Sequence, residues 1–149
     1  PAVYFFSLDA QGISSVLGAR VFHHLPYYYA RISLDWIDGR VMFKSHRRHP
    51  GARPAQYEGT YWPIDDPFSA PTDSFGEFLV ERYRFYTEAQ DGTLRYTDVE
   101  HDPWTLYPAA AEIQTNTLLS AHGFQMPDED PVYYYSPGLD VVASRSKRL

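Results

Sequence analysis

A chain of 149 residues, 44% of them hydrophobic, is long enough to fold as one domain around its own core without cross-links or metals. Charged residues make up 21% and aromatics 17%, thirteen Tyr and nine Phe among them, which is too little charge and too much ring for a disordered chain. A net charge of −6 argues against affinity built on nucleic-acid phosphates, and the absence of Cys excludes disulfides, thiolate metal sites and cysteine nucleophiles. With no apolar run of membrane-spanning length, the expectation is a cytoplasmic chain that binds neither membrane nor nucleic acid.

Residues 3–8 are apolar or aromatic except Ser7, which suits a strand covered on both faces. Asp9 can cap a helix that follows, since Ile13, Val16, Leu17 and Val21 recur at helical spacing and Pro26 closes the segment. Residues 27–35 and 40–48 then flank Asp38-Gly39, a strong short-range hairpin signal. Pairing outward from that turn sets Leu34 opposite Phe43 and Ile32 opposite Ser45, so Tyr28, Ala30, Ile32, Leu34, Val41 and Phe43 share a core face. Residues 56–62 alternate Tyr57, Gly59 and Tyr61 on one side as a third strand.

Ser74 and Glu77 match a capping box, and Phe75, Phe78 and Leu79 form the apolar stripe of a brief helix over 75–82. A second hairpin is expected at Asp91-Gly92, in a register that opposes Glu88 to Arg95 and gathers Tyr83, Phe85, Thr87, Leu94, Tyr96, Asp98 and Glu100 on one face. A short helix near 116–122 stops at Gly123, residues 132–136 and 139–143 read as a last strand pair around Pro137-Gly138, and the basic tail 145–148 reads as frayed. Strands with two or three short helices, joined by many tight turns, make a mainly β (α+β) domain whose antiparallel sheet is closed or nearly closed.

Five stretches, Val3-Tyr-Phe-Phe-Ser-Leu-Asp-Ala10, Leu25-Pro-Tyr27 with Ala30 and Arg31, Phe78-Leu-Val-Glu-Arg-Tyr83 with Tyr86 and Thr87, His101-Asp-Pro-Trp104, and Ser136-Pro-Gly-Leu-Asp-Val141, resemble the YqjF-like bacterial domain family of unknown function. The resemblance runs through almost the whole chain in order. It implies the fold of acetoacetate decarboxylase, a cone-like β barrel around a small-molecule cavity. Members of that family carry further strands before the first of these stretches. Residues 1–149 therefore correspond, by the resemblance, to the C-terminal portion of a longer domain, its sheet completed by an N-terminal segment or by a second copy.

The decarboxylase relatives act through a Schiff-base lysine, and the resemblance makes Lys44 the candidate, since Lys147 lies in the tail. Lys44 sits in no motif like theirs, and its face of the hairpin, with Ser33 and Asp35, is polar. A solvated lysine is the expectation. Asp98 and Glu100 lie two apart on a strand among aromatics, where one of them could stay protonated and act as general acid, or both could lie exposed at a strand end. Arg82, opposite His101 in the expected register, could grip an anion with its guanidinium fork or pair with Glu81, Asp102 or a backbone carbonyl. Tyr83, Tyr96 and Trp104 complete this candidate ligand site.

His46, His49 and His101-Asp102 show no recognised ligand spacing, so neither a metal nor a cofactor is expected. Five of the thirteen basic residues fall within 40–53, which reads as a solvated hairpin rim. The favoured function is a small-molecule binder, its ligand organic and possibly anionic. The alternatives are an enzyme acting on a small carbonyl or carboxylate compound, with Asp98, Glu100 or His101 moving the proton, and a module that self-associates through a strand edge.

Overall fold

A computed structural model describes residues 2–89 and 91–149. In chain order the elements are β1 (Val3–Tyr4), β2 (Leu8–Ala10), α1 (Ile13–Phe22), β3 (Tyr27–Ile37), β4 (Arg40–Arg47), β5 (Gln56–Pro63), α2 (Phe75–Val80), β6 (Arg84–Glu88), β7 (Leu94–Glu100), β8 (Tyr107–Asn116), α3 (Leu118–Ala121), β9 (Tyr134–Tyr135), β10 (Val142–Ala143) and β11 (Lys147–Arg148). One sheet runs β2-β3-β4-β5-β8-β9; the other runs β1-β6-β7, with β10 and β11 sharing the far edge of β7. The strands curl into a half-barrel. Pairing is antiparallel except for β1 with β6 and β2 with β3, which are parallel.

The first hairpin forms as its turn residues dictate. Asp38 (φ 50°) and Gly39 (φ 75°) both take the left-handed conformation of a type I′ turn, and Leu34 faces Phe43 as Ile32 faces Ser45. Burial on that face is uneven: Ala30, Ser45 and Arg47 are buried towards the end away from the turn and Val41 is buried beside it, while Leu34 between them is 60% exposed. Between β5 and β8 the register shifts at Glu58/Gly59, a bulge that bends the sheet. Gly59 leaves room there: a Cβ would meet Ile113 Cδ1 at 3.0 Å and Tyr57 Oη at 3.1 Å, and those side-chain tips would have to give way by a few tenths of an ångström.

Several expectations change. Residues 3–8 are not one strand covered on both faces. The segment breaks after Tyr4 and crosses from one sheet to the other, leaving Tyr4 and Phe6 exposed. Asp9 caps no helix: Gly12 is the N-cap of α1, and Asp9 is spent on an ion pair. Ser74 does accept the Glu77 N–H at 3.1 Å, so the cap of α2 is as read, yet Phe75, Phe78 and Leu79 are exposed rather than packed. Strand β8 went unread because its alanine run has low β propensity, and pairing with β5 overrides that preference. The expected pair around Pro137-Gly138 separates, β9 joining β8 and β10 joining β7. The tail is pinned, with Lys147 opposite Tyr96.

The second hairpin is slipped by one residue. Ala89 N–H reaches Thr93 O at 2.9 Å around a loop that carries Gly92 at φ 77°, so the loop is one residue longer than an Asp91-Gly92 turn and Thr87, not Glu88, faces Arg95. A one-residue slip exchanges the faces of a strand pair. Arg84, Tyr86, Tyr96 and Asp98 therefore share the outer face, while Phe85, Thr87 and Thr97 point inward, the two threonines buried.

The most buried charge is Arg47, its side chain 1% exposed. Its Nε donates to Asp9 Oδ1 at 2.8 Å, Nη2 donates to Ser7 at 3.1 Å, Nη1 lies 3.2 Å from His122 Nε2, and the guanidinium stacks on Tyr28 at 4.3 Å. Arg47→Met strands the Asp9 carboxylate in the interior and should lower unfolding free energy by roughly 3–5 kcal/mol in urea titration, with partial recovery on adding Asp9→Asn. An Arg47→Met protein as stable as the parent would sink this account. Burial, then the Arg47 charge, hold the His122 pKa below its ordinary 6.5, with Asp9 opposing and Arg53 reinforcing. The folded state thus binds fewer protons than the unfolded one, so this contribution is complete above pH 6.5 and is lost as pH falls from there through the lowered folded value. Thermal melts of His122→Gln against the parent should converge as the pH drops below 6.5, and parallel profiles would contradict the assignment.

Candidate functional site

A cavity of about 560 Å³ lies behind the sheet crossover. Val3, Phe5 and Leu8 of the crossover form one wall, and Phe85 and Val99 supply the inward face of β6 and β7. Leu79, Val80 and Arg82 arrive from α2 and its exit, His101, Trp104 and Leu106 from the segment after β7, and Tyr134, Ser136 and Val141 from the last loops. The lining is mostly apolar, with Phe5 edge-on to Phe85 at 5.7 Å. Each of the five family-like stretches contributes to it, Leu25 and Tyr27 standing for the second.

Three of the expected site residues, Arg82, His101 and Trp104, meet at this cavity. Arg82 leaves α2 where the chain turns into β6, and its guanidinium lies 4.2 Å from the Phe78 ring centre. Its Nη1 is buried with no hydrogen-bond partner among the described residues, and so is the indole Nε1 of Trp104. Glu81, the nearest carboxylate in sequence, is committed elsewhere, accepting the main-chain N–H of Trp104 at 2.9 Å and the Tyr83 hydroxyl at 2.5 Å. That bond is the main cause pushing the Tyr83 hydroxyl pKa up to about 12, so Tyr83 stays a neutral donor. Tyr83 stacks on His101 at 4.5 Å and 17°, outside the lining. His101 places Nδ1 2.7 Å from the Asp102 carbonyl and Nε2 3.4 Å from the Arg82 carbonyl, bracing the backbone that carries the guanidinium.

The remaining expected residues lie elsewhere. Asp98 is on the outer face, bound by Arg84 at 2.6 Å and Lys147 at 3.0 Å, and bonds to Lys147 and then Arg84 hold its pKa below the usual carboxylate value. Tyr96 lies beneath both cations, with Arg84 at 4.4 Å and Lys147 at 5.5 Å, and Glu100 is exposed. Arg84 borders the cavity, but its head is turned out to Asp98. Lys44 stands between Ser33 and Glu58, ion-paired to Glu58 and 53% exposed. The lining residues include no lysine. His46 meets Gln56 and His49 meets the Tyr29 N–H, and no group of three potential metal ligands forms among the described residues.

Sequence reasoning missed the apolar walls, Val3, Phe5, Phe85, Val99 and Tyr134. Their signal was present in the family-like stretches, and a correct register at Ala89 and Thr93 would have turned Phe85 and Val99 inward. Asp98→Asn should release the outer ion cluster, so that amide exchange speeds up at Lys147 and Arg148 while Thr87 and Thr97 keep their protection. Equal acceleration at all four would place Asp98 in the interior after all.

Residues 1–140 match the model of the DUF2071 family, described as uncharacterized conserved proteins. The chain is 42% identical over 142 residues to the uncharacterized protein YqjF of Bacillus subtilis (strain 168), which covers 95% of this chain and 57% of that protein. It thus spans little more than half the length of that curated relative. Among solved structures it is similar to an acetoacetate decarboxylase from Legionella pneumophila, with a TM-score of 0.58 and 12% identity, covering 98% of this chain and 59% of the other. At that identity the likeness concerns the fold alone.

Proposed function

The chain belongs to the DUF2071 family of uncharacterized conserved proteins, and we propose that it binds a small organic anion in the cavity behind the crossover, with Arg82 holding the charged end. The observation that carries this reading is the buried, unpartnered Nη1 of Arg82 beside an otherwise apolar lining. A buried guanidinium nitrogen without an acceptor is costly, and a carboxylate ligand supplies the acceptor in the two-pronged geometry that Arg favours. The Trp104 indole N–H is a second buried donor with the same need. The apolar walls then select an aliphatic or aryl body for the ligand.

Binding is favoured over catalysis by what the cavity contains. Its lining has no lysine, so the Schiff-base step of the decarboxylases has no amine to start from. Asp98 and Glu100, the proton-transfer candidates, face away from it. His101 borders it with Nδ1 already directed at a carbonyl oxygen.

A panel of short aliphatic and aryl carboxylates tested by thermal shift should contain members that raise the melting temperature in a saturable manner. Arg82→Met should keep the parent melting temperature without ligand, because no internal carboxylate loses its partner, and should weaken the best carboxylate roughly tenfold or more. A variant that melts early while retaining carboxylate affinity makes Arg82 structural and removes the proposal.

A further inference from the structure

A second cavity, also of about 560 Å³, opens on the other side of the β4 end, between α1, the loop at 48–54 and α3. Its lining is the opposite of the first in character: Arg20, Arg47, Arg53, His49 and His122 converge there, and the lining contains no carboxylate. We propose that this cavity binds the dianionic phosphate group of a small phosphate ester.

Charge and proton placement both point that way. Asp9 lies behind the lining and neutralises Arg47, to which it is bonded at 2.8 Å. Arg20 and Arg53 form no ion pair among the described residues, which leaves two positive charges facing the cavity. A phosphate monoester carries close to two negative charges above its second pKa of about 6.

The imidazoles present donors. His49 Nδ1 accepts the Tyr29 N–H at 3.1 Å, so its proton resides on Nε2. His122 Nε2 faces the obligate donor Arg47 Nη1 at 3.2 Å, so its proton resides on Nδ1. Two guanidinium groups and two N–H donors with no carboxylate among them suit an acceptor-only ligand, and the volume leaves room for an ester substituent beyond the phosphate. Tyr28 is not a stacking platform for that substituent, since Arg47 at 4.3 Å and Arg20 at 5.8 Å already engage its ring.

The test uses the full chain titrated with inorganic phosphate and with phenyl phosphate, followed by calorimetry and phosphorus NMR. Saturable binding is expected for both, tighter for the ester. Arg53 is exposed with no side-chain hydrogen bond among the described residues, so Arg53→Ala should melt like the parent and weaken both probes roughly tenfold, the scale of one charge-assisted contact. Arg145→Ala, removing an exposed cation in the C-terminal segment, should leave both affinities unchanged. The proposal is overturned by absent saturation at roughly 10 mM, by phosphate affinity indifferent to Arg53→Ala, or by equal losses in the two variants, which would report surface charge alone. Preference for inorganic phosphate over the ester would reassign the site to the free ion and overturn the ester.

Discussion

The ion pair of Asp9 with Arg47 ties together parts of the chain that have little else in common. Asp9 ends the crossover, Arg47 ends β4, Ser7 lies in the break between β1 and β2, and His122 closes α3. Elsewhere among the described residues the buried apolar side chains are few, Val16, Ala30, Val41, Ala55 and Leu106, so hydrophobic area alone holds these elements weakly. Burying a guanidinium is costly unless every donor finds a partner. Here Asp9, Ser7, His122 and the Tyr28 ring supply those partners together, and displacing any one of the four segments leaves the charge exposed to that cost.

The two cavities inherit their character from this arrangement. On one side the crossover presents Val3, Phe5 and Leu8 to the inward face of the smaller sheet, and the space is apolar with a single uncompensated guanidinium, that of Arg82. On the other side the same crossover delivers Asp9 behind Arg47, and the remaining arginines line a polar space. One segment of the chain is thus wall to the first cavity and counter-charge to the second.

Much of the fold was legible wherever a turn is encoded by its own residues. Asp38-Gly39 fixed a register that propagates correctly as far as Ala30 and Arg47. Ser74 and Glu77 marked the start of α2 for the same local reason. Legibility failed where geometry is settled by distant partners. Nothing in residues 109–116 announces a strand, and the pairing surface of β5 is what makes it one. At the second hairpin a single residue in the loop decided which side chains face inward, and with it the fate of half the candidate site. Arg82, His101 and Trp104 border the cavity all the same, although the slipped register no longer sets Arg82 opposite His101, because they lie beyond the end of the ladder at Arg84 and Asp98.

The parallel pairing of residues 3–10 also sets the entropy of closing the fold. Three antiparallel pairs, β3 with β4, β4 with β5 and β6 with β7, join neighbours in sequence and can close early at small entropic cost. The two halves of the crossover differ in this respect, because Leu8 pairs with Tyr27 just across α1 while Val3 pairs with Phe85 far along the chain. Its β1 half is thus the more costly closure in chain entropy. With the crossover undocked, the first cavity loses the wall of Val3, Phe5 and Leu8 and Arg47 beside the second loses its counter-charge, so one short segment governs whether a ligand meets either site in finished form.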